Sequence, residues 1–568
     1  MIPFHHHRRI GEFPMTKMTG KRALMEMLRA EGVKYIFGNP GTSERAILDA
    51  LEDYPDFEYF LTTLDGAAMG MADAYARSTQ RPSFVNLHIE TGLANGISLL
   101  NNAYEGGTPM VVTSANKDVR KLAEGRTRLD EMVRLFTKWS AEATHPEQIP
   151  SVIRRAFNEA KTPPTGPVYV GFSANALDGE AEVEIAPSSP GYFRMAPDAQ
   201  AISETADLLS SASSPVIIVG DRLAQSGGIA EAVRVAELTG AEVYSSAYSE
   251  MNFPTAHPQF IGRSAPSSPA TREQFADADV VLAVGTNVFS GFFYYSGRAL
   301  GRETKLVHMD QSHREVGKSE PTDIGIIADP KTGLAHLADA LESTMSGSDS
   351  EAAKGRAANL AERKAALNSA TQQRLKDRWD ISPMSTERMM HEVASALPPG
   401  TLIADDSVTT RDAVHSAISF DEPGTVFGER GGALGWGMGG ALGLKLANPD
   451  RPVVGIIGDG SSMMTVQSLW TAATYNIPVV YIICNNRAYR ILKLNMNVYK
   501  QDIVGEDEPQ SKYMAMDFPI PMNIAGMAEA MGVAGRSVTD PADLAPALKA
   551  ALESGKPAVL DVSIDGSV

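Results

Sequence analysis

The fold of this chain is decided by the stretch Val453-Val454-Gly455-Ile456-Ile457-Gly458-Asp459-Gly460-Ser461, together with the later run Val479-Val480-Tyr481-Ile482-Ile483-Cys484-Asn485-Asn486. Each stretch begins with apolar, largely β-branched residues, which are typical of a strand buried in a parallel sheet. Between them, the pattern from about residue 464 to residue 475 is helical. The sequence therefore predicts a β-α-β unit, whose right-handed crossover lays both strands parallel and places Asp459 and Asn486 at their carboxyl ends.

The polar residues that follow these two strands suit a metal ion and a diphosphate. The carboxyl ends of parallel strands form the edge at which open α/β sheets bind ligands. A carboxylate from Asp459 and an amide oxygen from Asn486 are hard oxygen ligands, which Mg²⁺ prefers alongside phosphate and water oxygens. Gly460 and Ser461 open the next helix and offer backbone N–H groups to an anion. The alternative interpretation is an Asp-Gly turn and an unrelated pair of asparagines.

The composition is that of a large globular protein. The chain has 568 residues, 43% of them hydrophobic, which is enough for about three domains. Its net charge of −18 disfavours nucleic acid and anionic membrane surfaces as partners, and no apolar run reaches transmembrane length. Because Cys484 is the single cysteine, a disulfide within the chain is excluded, which fits a protein of the reducing cytoplasm. We expect Cys484 itself to be a small buried hydrophobic residue.

Strand-like and helical runs alternate in three consecutive blocks. This alternation predicts an α/β protein with three doubly wound parallel-sheet domains. The clearest strands are expected at 35–37, 57–61, 84–87 and 110–113 in the first block, and at 216–219, 280–284 and 306–308 in the second. The predicted divisions are a leader or tag at 1–15, domains at 16–185, 195–345 and 385–568, and a helical linker at 346–384.

The joints between these blocks differ in composition. Residues 179–200 are acidic and then rich in proline and serine, which indicates a linker. Residues 497–521 contain Gly505, three prolines and several acids and are interpreted as a mobile loop that closes over a site. The middle block has no G-x-G-x-x-G opening a helix, and the chain has no G-x-x-x-x-G-K-[ST] motif. A structural, Rossmann-like layer is therefore expected in the middle.

The motif Gly-Asp-Gly at 458–460, followed by Asn-Asn at 485–486, resembles the cofactor motif of thiamine diphosphate enzymes. The resemblance extends over nearly the whole chain from about residue 20 and is closest to the benzoylformate decarboxylase-like 2-oxo acid decarboxylases and carboligases. Phe-Gly-Asn-Pro-Gly-Thr-Ser-Glu at 37–44, Asn-Leu-His at 86–88 and Gly-Gly-Ala-Leu-Gly at 431–435 carry further matches. It implies a pyrimidine-binding domain, a middle domain and a diphosphate-binding domain, in that order.

The resemblance also implies roles for individual residues. Asp459, Asn486 and the backbone carbonyl of Ala488 would hold Mg²⁺. Leu434 would wedge beneath the bent cofactor, and the Gly432 carbonyl would accept a hydrogen bond from its 4′-amino group. The implied catalytic residues are Asp65, His88 and Leu434, and the implied cofactor-binding residues are Asp65, Ser407, Gly432, Leu434, Gly460, Ser461 and Tyr489. The implied substrate pocket contains Thr42, Ser43, His88, Phe292, Ile491 and Asn495.

Two positions depart from the family pattern. Asp65 stands where the family has a glutamate that activates the pyrimidine ring, and its side chain is one methylene shorter. It would reach the ring through a shifted backbone or a water, activate it weakly, or merely cap the following helix. Phe292 stands where benzoylformate decarboxylase has a second active-site histidine, and a phenyl ring cannot relay protons. A proton after loss of CO₂ would then come from His88 or water.

The basic residues after Asn486 bear on the substrate. Arg490 and Lys493 differ from the apolar pocket expected of a benzoylformate enzyme, so an anionic substrate is one interpretation. The other is that both side chains point to solvent, which is common for long basic side chains on a helix. His88, Thr42 and Ser43 likewise have structural alternatives, as a strand-end histidine and as ordinary helix caps.

The resemblance predicts an enzyme that uses thiamine diphosphate and Mg²⁺ to decarboxylate a 2-oxo acid. The alternative is a carboligase or lyase of the acetolactate synthase or 2-hydroxyacyl-CoA lyase type, acting on a 2-oxo acid or 2-hydroxyacyl substrate. A remote alternative, motivated by Asp65, is a protein that binds the cofactor without turnover. The resemblance further implies a cytoplasmic homodimer or homotetramer, in which Asp65 of one subunit meets cofactor anchored by Asp459 of another.

Overall fold

The computed structural model describes residues 14–191, 193–246, 249–265, 268–289, 291–508 and 511–568. They form two compact units, which divide after Gly191. The first unit contains one six-stranded parallel sheet and the second contains two, so the predicted α/β class with three parallel sheets in succession is confirmed. The predicted leader, including the histidines at 5–7, falls outside the described residues except for positions 14 and 15.

The first unit winds a parallel sheet between helices. Its elements are β1 (Thr16–Thr19), α1 (Gly20–Ala30), β2 (Tyr35–Asn39), α2 (Arg45–Leu51), β3 (Glu58–Leu61), α3 (Asp65–Thr79), β4 (Ser83–Leu87), α4 (Glu90–Gly106), β5 (Met110–Asn116), α5 (Leu129–Met132), β6 (Trp139–Ala143), α6 (Ile149–Lys161), β7 (Pro167–Ser173), α7 (Ala174–Asp178) and β8 (Glu180–Val183). The sheet has the strand order β3-β2-β4-β5-β7-β6. Every residue of β4, β5 and β7 is buried, as expected for central parallel strands covered on both faces.

The predicted linker at 179–200 is wrong at its beginning. Glu180–Val183 forms strand β8, which pairs with β1 in the antiparallel direction. The strand alternates glutamates that face outward with Ala181 and Val183, which pack on the core. Acidic residues on the solvent face of a short edge strand disguised this alternation.

The middle of the chain forms the first sheet of the second unit. Its elements are α8 (Ala199–Ser211), β9 (Pro215–Val219), α9 (Asp221–Ser226), α10 (Ile229–Thr239), β10 (Glu242–Ser245), β11 (Phe260–Arg263), α11 (Ser268–Gln274), β12 (Val280–Val284), β13 (Lys305–Asp310), β14 (Ile324–Ile327), α12 (Pro330–Thr344) and α13 (Gly347–Asp377). The strand order β11-β10-β9-β12-β13-β14 is that of a Rossmann sheet. The long helix α13 buries only Ala353 and Leu360.

The last sheet completes the second unit. Its elements are α14 (Thr386–Ala396), β15 (Leu402–Asp406), α15 (Arg411–Ala417), β16 (Val426–Gly428), α16 (Trp436–Ala447), β17 (Val453–Gly458), α17 (Asp459–Met464), α18 (Ser468–Thr474), β18 (Val480–Asn485), α19 (Arg490–Val498), α20 (Ile524–Ala530), β19 (Ala534–Val538), α21 (Pro541–Glu553) and β20 (Ala558–Ser563). The strand order is β16-β15-β17-β18-β20-β19. No helix in the described ranges is both long and apolar enough to cross a membrane.

Two local predictions in this sheet are wrong. The helix predicted at about 464–475 is two helices, because α17 begins at Asp459 itself and the chain turns at 465–467 before α18. The backbone leaves the helical conformation at Thr465, whose φ is −141°, and the hydroxyl of this residue donates to the Gly435 carbonyl. The predicted loop at 497–521 is helical at its beginning, where a π-helical turn at Tyr499–Val504 extends α19.

The first and last sheets share one strand order, and it positions the candidate sites. In each, the first strand of the sheet lies between the second and the third. The connections therefore leave in opposite directions from the first and third strands, which are β2 and β4 in one sheet and β15 and β17 in the other. A crevice opens at the carboxyl ends of such a strand pair.

Candidate functional site

Asp65 lies beside the crevice of the first sheet, with an unusual hydrogen-bond environment. It is the first residue of α3 and only 1% exposed. Its Oδ2 accepts a hydrogen bond from the Asn39 amide at 3.2 Å, whereas Oδ1 is buried with no hydrogen-bond partner in the described structure. Burial raises the pKa of the Asp65 carboxyl, and the amides of Asn39 and Asn95 oppose this shift only in part. A ligand that donates to Oδ1 would satisfy this buried oxygen.

The interpretation of Asp65 as a helix cap has little support. The N–H groups of Ala67 and Ala68, in the first turn of α3, donate to the carbonyl of Leu64. The residue at the capping position is Leu64, whose side chain cannot cap. The Asp65 carboxyl is therefore not needed to satisfy the N–H groups of these two residues.

His88 follows β4 and lies next to Asp65. A Cβ atom at Gly92 would lie 2.7 Å from Asp65 Oδ1 and 2.8 Å from His88 Cβ, so only glycine at this point of α4 lets the two side chains keep their positions. The Nδ1 atom of His88 lies 2.9 Å from Glu44 Oε2 and 2.9 Å from Ser43 Oγ. The structure thus brings together the predicted residues Asp65, His88 and Ser43, while Thr42 is exposed to solvent.

Asp459 begins α17 at the carboxyl end of β17, as the sequence predicts. Its side chain is 3% exposed, and burial raises the pKa of its carboxyl to about 6. Oδ1 accepts from the Gly460 N–H at 2.8 Å and Oδ2 from the Arg487 N–H at 2.7 Å, which draws the loop after β18 onto this carboxylate. A cation here would offset the cost of burying the charge.

The two asparagines after β18 have different surroundings. Asn485 is buried and donates to Asp561 Oδ1 on the neighbouring strand at 2.8 Å. Asn486 is half-buried, and its Oδ1 accepts from the Ala488 N–H at 3.0 Å. The described residues contain no group of three or more His, Cys, Asp or Glu that could hold a metal. A cation at Asp459 would consequently need amide, carbonyl, phosphate or water oxygens, which suits Mg²⁺.

A second buried carboxylate, Asp406, holds the loop that carries Gly432 and Leu434. Its Oδ2 accepts from the N–H groups of Gly435 at 2.9 Å and Gly437 at 3.0 Å, while Oδ1 is buried with no hydrogen-bond partner in the described ranges. The Gly435 N–H also approaches Ser461 Oγ at 3.3 Å, so this loop is joined to the start of α17. Complete burial raises the pKa of Asp406 to about 7.

The remaining residues predicted to bind cofactor surround the same edge. Ser407 follows β15, and its hydroxyl donates to Asp405 Oδ1 at 2.6 Å. Tyr489 lies against Gly460, where a Cβ atom would meet the tyrosine ring at 2.5 Å. The Tyr489 ring also packs edge-on against Phe518 at 4.7 Å between centroids. Gly432 has a φ of +77° and open space around it, so its conformation favours glycine.

The residues predicted for the substrate pocket are less clearly assembled. Phe292 is 95% exposed and contacts Phe293, which in turn contacts Tyr499 beyond α19. Ile491 and Asn495 lie on α19, which has no buried residue. The basic residues nearby are occupied, because Arg490 donates to the Ser567 carbonyl at 2.7 Å and Lys493 pairs with Asp517 at 2.5 Å. Neither of the two interpretations of these basic residues anticipated those contacts.

The crevice of the middle sheet is filled by side chains of the protein. Arg222, after β9, donates to Asp310 at the end of β13 at 2.9 Å and to Asn287, after β12, at 2.8 Å. Asp310 is fully buried. This ion pair occupies the place at which Rossmann folds bind dinucleotides.

Four residues that shape these sites escaped the sequence interpretation: Asn39, Glu44, Asp406 and Asp561. Asn39 stands at a strand end inside the stretch 37–44, so its position was a usable signal, whereas Glu44 lies in the turn that follows. Asp406 precedes Ser407 at the end of an apolar run and could have been found in the same way. Asp561 acts from a neighbouring strand, which spacing along the chain does not reveal.

Comparisons with known proteins agree with this geometry. Residues 18–135 match the N-terminal TPP binding domain of thiamine pyrophosphate enzymes, 202–337 the central domain, and 408–562 the C-terminal TPP binding domain. The chain is 29% identical to the benzoylformate decarboxylase of Pseudomonas aeruginosa, over 95% of this chain and 98% of that protein. It is 28% identical to a Methanocaldococcus jannaschii protein named "Probable acetolactate synthase large subunit", over 96% and 92% of the two chains.

A solved structure has the same fold. The thiamine diphosphate-dependent 4-hydroxybenzoylformate decarboxylase of Rhodococcus jostii RHA1 superposes with a TM-score of 0.82 at 27% identity. The match covers 96% of this chain and 99% of the other. The resemblance found in the sequence is thereby confirmed.

Proposed function

Because the chain belongs to the thiamine pyrophosphate (thiamine diphosphate) enzyme family, we propose that it uses this cofactor and Mg²⁺ to decarboxylate a small 2-oxo acid. The observation that carries the proposal is the buried Oδ1 of Asp65, which has no hydrogen-bond partner in the described residues and lies beside His88. Relatives that include a benzoylformate decarboxylase support the choice of decarboxylation.

The residues at the carboxyl edge of the last sheet fit the cofactor. Asp459, Asn486 and the Ala488 carbonyl would hold Mg²⁺, while Ser461 and the N–H groups at the start of α17 would bind the diphosphate. Gly432 and Leu434 would contact the rings, on a loop that Asp406 holds in place. When bound, thiamine diphosphate supplies the nucleophilic carbon and accepts the electron pair that decarboxylation releases.

The protein's own groups would handle protons. A carboxyl whose pKa is raised by burial exchanges a proton more readily near neutral pH than an exposed one, and Asp65 meets this condition. Its free oxygen would exchange a proton with the pyrimidine ring. His88 would exchange protons with the substrate-derived group, because imidazole both donates and accepts near neutrality.

Carboligation is the second candidate function, favoured by a specific observation. By the resemblance, Phe292 stands where benzoylformate decarboxylase has a second active-site histidine, and a phenyl ring cannot relay protons. Slow protonation after loss of CO₂ would leave time for attack on a second carbonyl compound. Similarity to a protein named as an acetolactate synthase subunit supports keeping this reaction open.

A panel of 2-oxo acids, with thiamine diphosphate and Mg²⁺, tests both functions. We expect CO₂ release with at least one acid. A free aldehyde as the product would indicate decarboxylation, and an acyloin formed after addition of an acceptor aldehyde would indicate carboligation. Asp459→Ala serves as the matched control, since it should lack the metal site but keep the fold. Cofactor binding measured by calorimetry without turnover of any acid would instead support a protein that only binds the cofactor.

A further inference from the structure

Glu44 is a buried carboxylate in the turn between β2 and α2. Its side chain has no exposed surface. Oε2 accepts from the Gly41 N–H at 2.9 Å, and Oε1 accepts from the Ala115 N–H of strand β5 at 3.1 Å. The Ser43 hydroxyl lies 2.8 Å from both oxygens. Because backbone N–H groups can only donate, Glu44 is bound here as an acceptor, which is the role of an ionised carboxylate.

This carboxylate determines which nitrogen of His88 carries a proton. The Nδ1 atom lies 2.9 Å from Glu44 Oε2, so a hydrogen bond to an ionised carboxylate requires a proton on Nδ1. The Ser43 hydroxyl can then donate to Glu44 while its oxygen lies 2.9 Å from Nδ1. Nε2 is left as the nitrogen that gains or loses a proton, and the part of the chain that the structure describes offers it no hydrogen-bond partner.

The ring is also held sterically. A Cβ atom at Gly41 would overlap Nδ1 and Cε1 of the imidazole, so the ring lies directly against the backbone of this turn. The Gly41 N–H and the His88 Nδ1 share one acceptor, Glu44 Oε2. The backbone turn and the ring are thus oriented by the same oxygen.

We propose that Glu44 is a positioning residue for His88: it fixes the tautomer with the proton on Nδ1 and leaves Nε2 for proton exchange with the substrate. The inference rests on the proposed function, in which His88 exchanges protons. Asp65, at the start of α3, is a further charged group near the ring. Within the described residues, Nδ1 is held by Glu44 and Ser43.

Nuclear magnetic resonance tests the assignment without any substrate. In protein labelled with ¹⁵N-histidine, the His88 signals are identified by their loss in His88→Ala, and their shifts report which nitrogen is protonated. We expect the Nδ1–H tautomer in the wild type at high pH. In Glu44→Gln, the share of the Nδ1–H tautomer should fall, because a carboxamide can donate to Nδ1 as well as accept from it. Ser43→Ala, the matched control, keeps the carboxylate and should retain the Nδ1–H tautomer.

Kinetics separate positioning from a purely structural role. Glu44→Gln should lower kcat by roughly 10–100-fold, as loss of an orienting partner does at other histidines. In a His88→Ala background the same change should lower kcat by less than about twofold, because the group on which Glu44 acts is missing. A structural residue would instead reduce the rate by the same factor in both backgrounds.

Three results would overturn the proposal: an Nε2–H tautomer in the wild type, an unchanged share of the Nδ1–H tautomer in Glu44→Gln, or equal rate losses in the two backgrounds. If Glu44→Gln does not fold, the tautomer of the wild-type protein still decides. Since the resonance measurements need no turnover, they distinguish a wrong assignment of Glu44 from a wrong proposed function. An inactive protein with the Nδ1–H tautomer would disprove only the latter.

Discussion

Replacement of Asp65 by asparagine gives the most direct test of the active site, because it should separate stability from activity. The change keeps an oxygen that can accept from Asn39 Nδ2 and removes a buried carboxyl whose Oδ1 has no hydrogen-bond partner among the described residues. The amide nitrogen that replaces Oδ1 is also buried without a partner, but it carries no charge; an unsatisfied buried group costs about 1–3 kcal/mol when neutral and more when charged. We therefore expect Asp65→Asn to be more stable than the wild type by about 1 kcal/mol, without cofactor, at pH values where the Asp65 carboxyl is ionised.

The pH dependence has a definite sign. Burial raises the folded-state pKa of Asp65 above its value in the unfolded chain. The folded protein thus binds more protons between these two values, and its free energy of unfolding falls as pH rises through that window. Asparagine removes this loss, so its advantage should be larger at pH 8 than at pH 5. Each kcal/mol of unfolding free energy corresponds to a change of about 2–4 °C in Tm for a domain of this size.

Activity should change in the opposite direction. A group that transfers a proton contributes about 10²–10⁴-fold to the rate, so Asp65→Asn should lose that factor in kcat at saturating cofactor. Asp65→Glu keeps the carboxyl and should retain a rate far above that of the asparagine variant. Thermal unfolding at both pH values and CO₂ release together make the test. An asparagine variant that unfolds at lower temperature yet turns over at the wild-type rate would leave Asp65 a structural residue.

The fold was predictable because each central strand is an uninterrupted apolar run. The runs at 453–457 and 479–484 can only be buried on both faces, and such strands belong to parallel sheets. The edge strand β8 was missed because half of its residues are solvent-facing glutamates. The break between α17 and α18 was missed because it involves a hydrogen bond from Thr465 to Gly435, thirty residues earlier in the chain.

Residues of the candidate site could be predicted where their position at a strand end suffices to locate them. Roles that depend on contacts between distant parts of the chain could not. Asp459 and His88 stand at strand ends, and their positions follow from the sheet order. Glu44 three residues after Gly41 has the spacing of a helix-start capping acid, and it does accept from that N–H. Its contacts with Ala115 and His88 depend on strands that are distant in sequence. These contacts between distant parts of the chain, rather than the local spacing, give the glutamate its second role.

Four further predictions test the other parts of the site. Asp459→Ala should abolish Mg²⁺-dependent thiamine diphosphate binding in calorimetry with an unchanged circular dichroism spectrum, and wild-type affinity would disprove the metal assignment. Light scattering should show at least a homodimer, because the family resemblance implies a site in which Asp65 of one subunit meets cofactor anchored by Asp459 of another; a fully active monomer would contradict this. Gly41→Ala should lower kcat by roughly 10²-fold through displacement of the His88 ring, since the backbone at this residue is extended and accepts alanine without strain. An alanine variant with full activity would show that the ring position is not needed. The last prediction concerns Asp406, whose pKa of about 7 lies well above that of an aspartate in the unfolded chain. Ionisation of this group should therefore lower the unfolding free energy of the cofactor-free protein as pH rises from about 5.5 to 7. The loss should be at most roughly 1.4 kcal/mol per pH unit. The asparagine in Asp406→Asn can still accept from the N–H groups of Gly435 and Gly437 but cannot ionise. Urea unfolding of this variant should therefore show an unfolding free energy that changes less with pH than that of the wild type. Parallel pH profiles would mean that Asp406 is already ionised at about pH 5.5 and that its burial costs less than the geometry indicates.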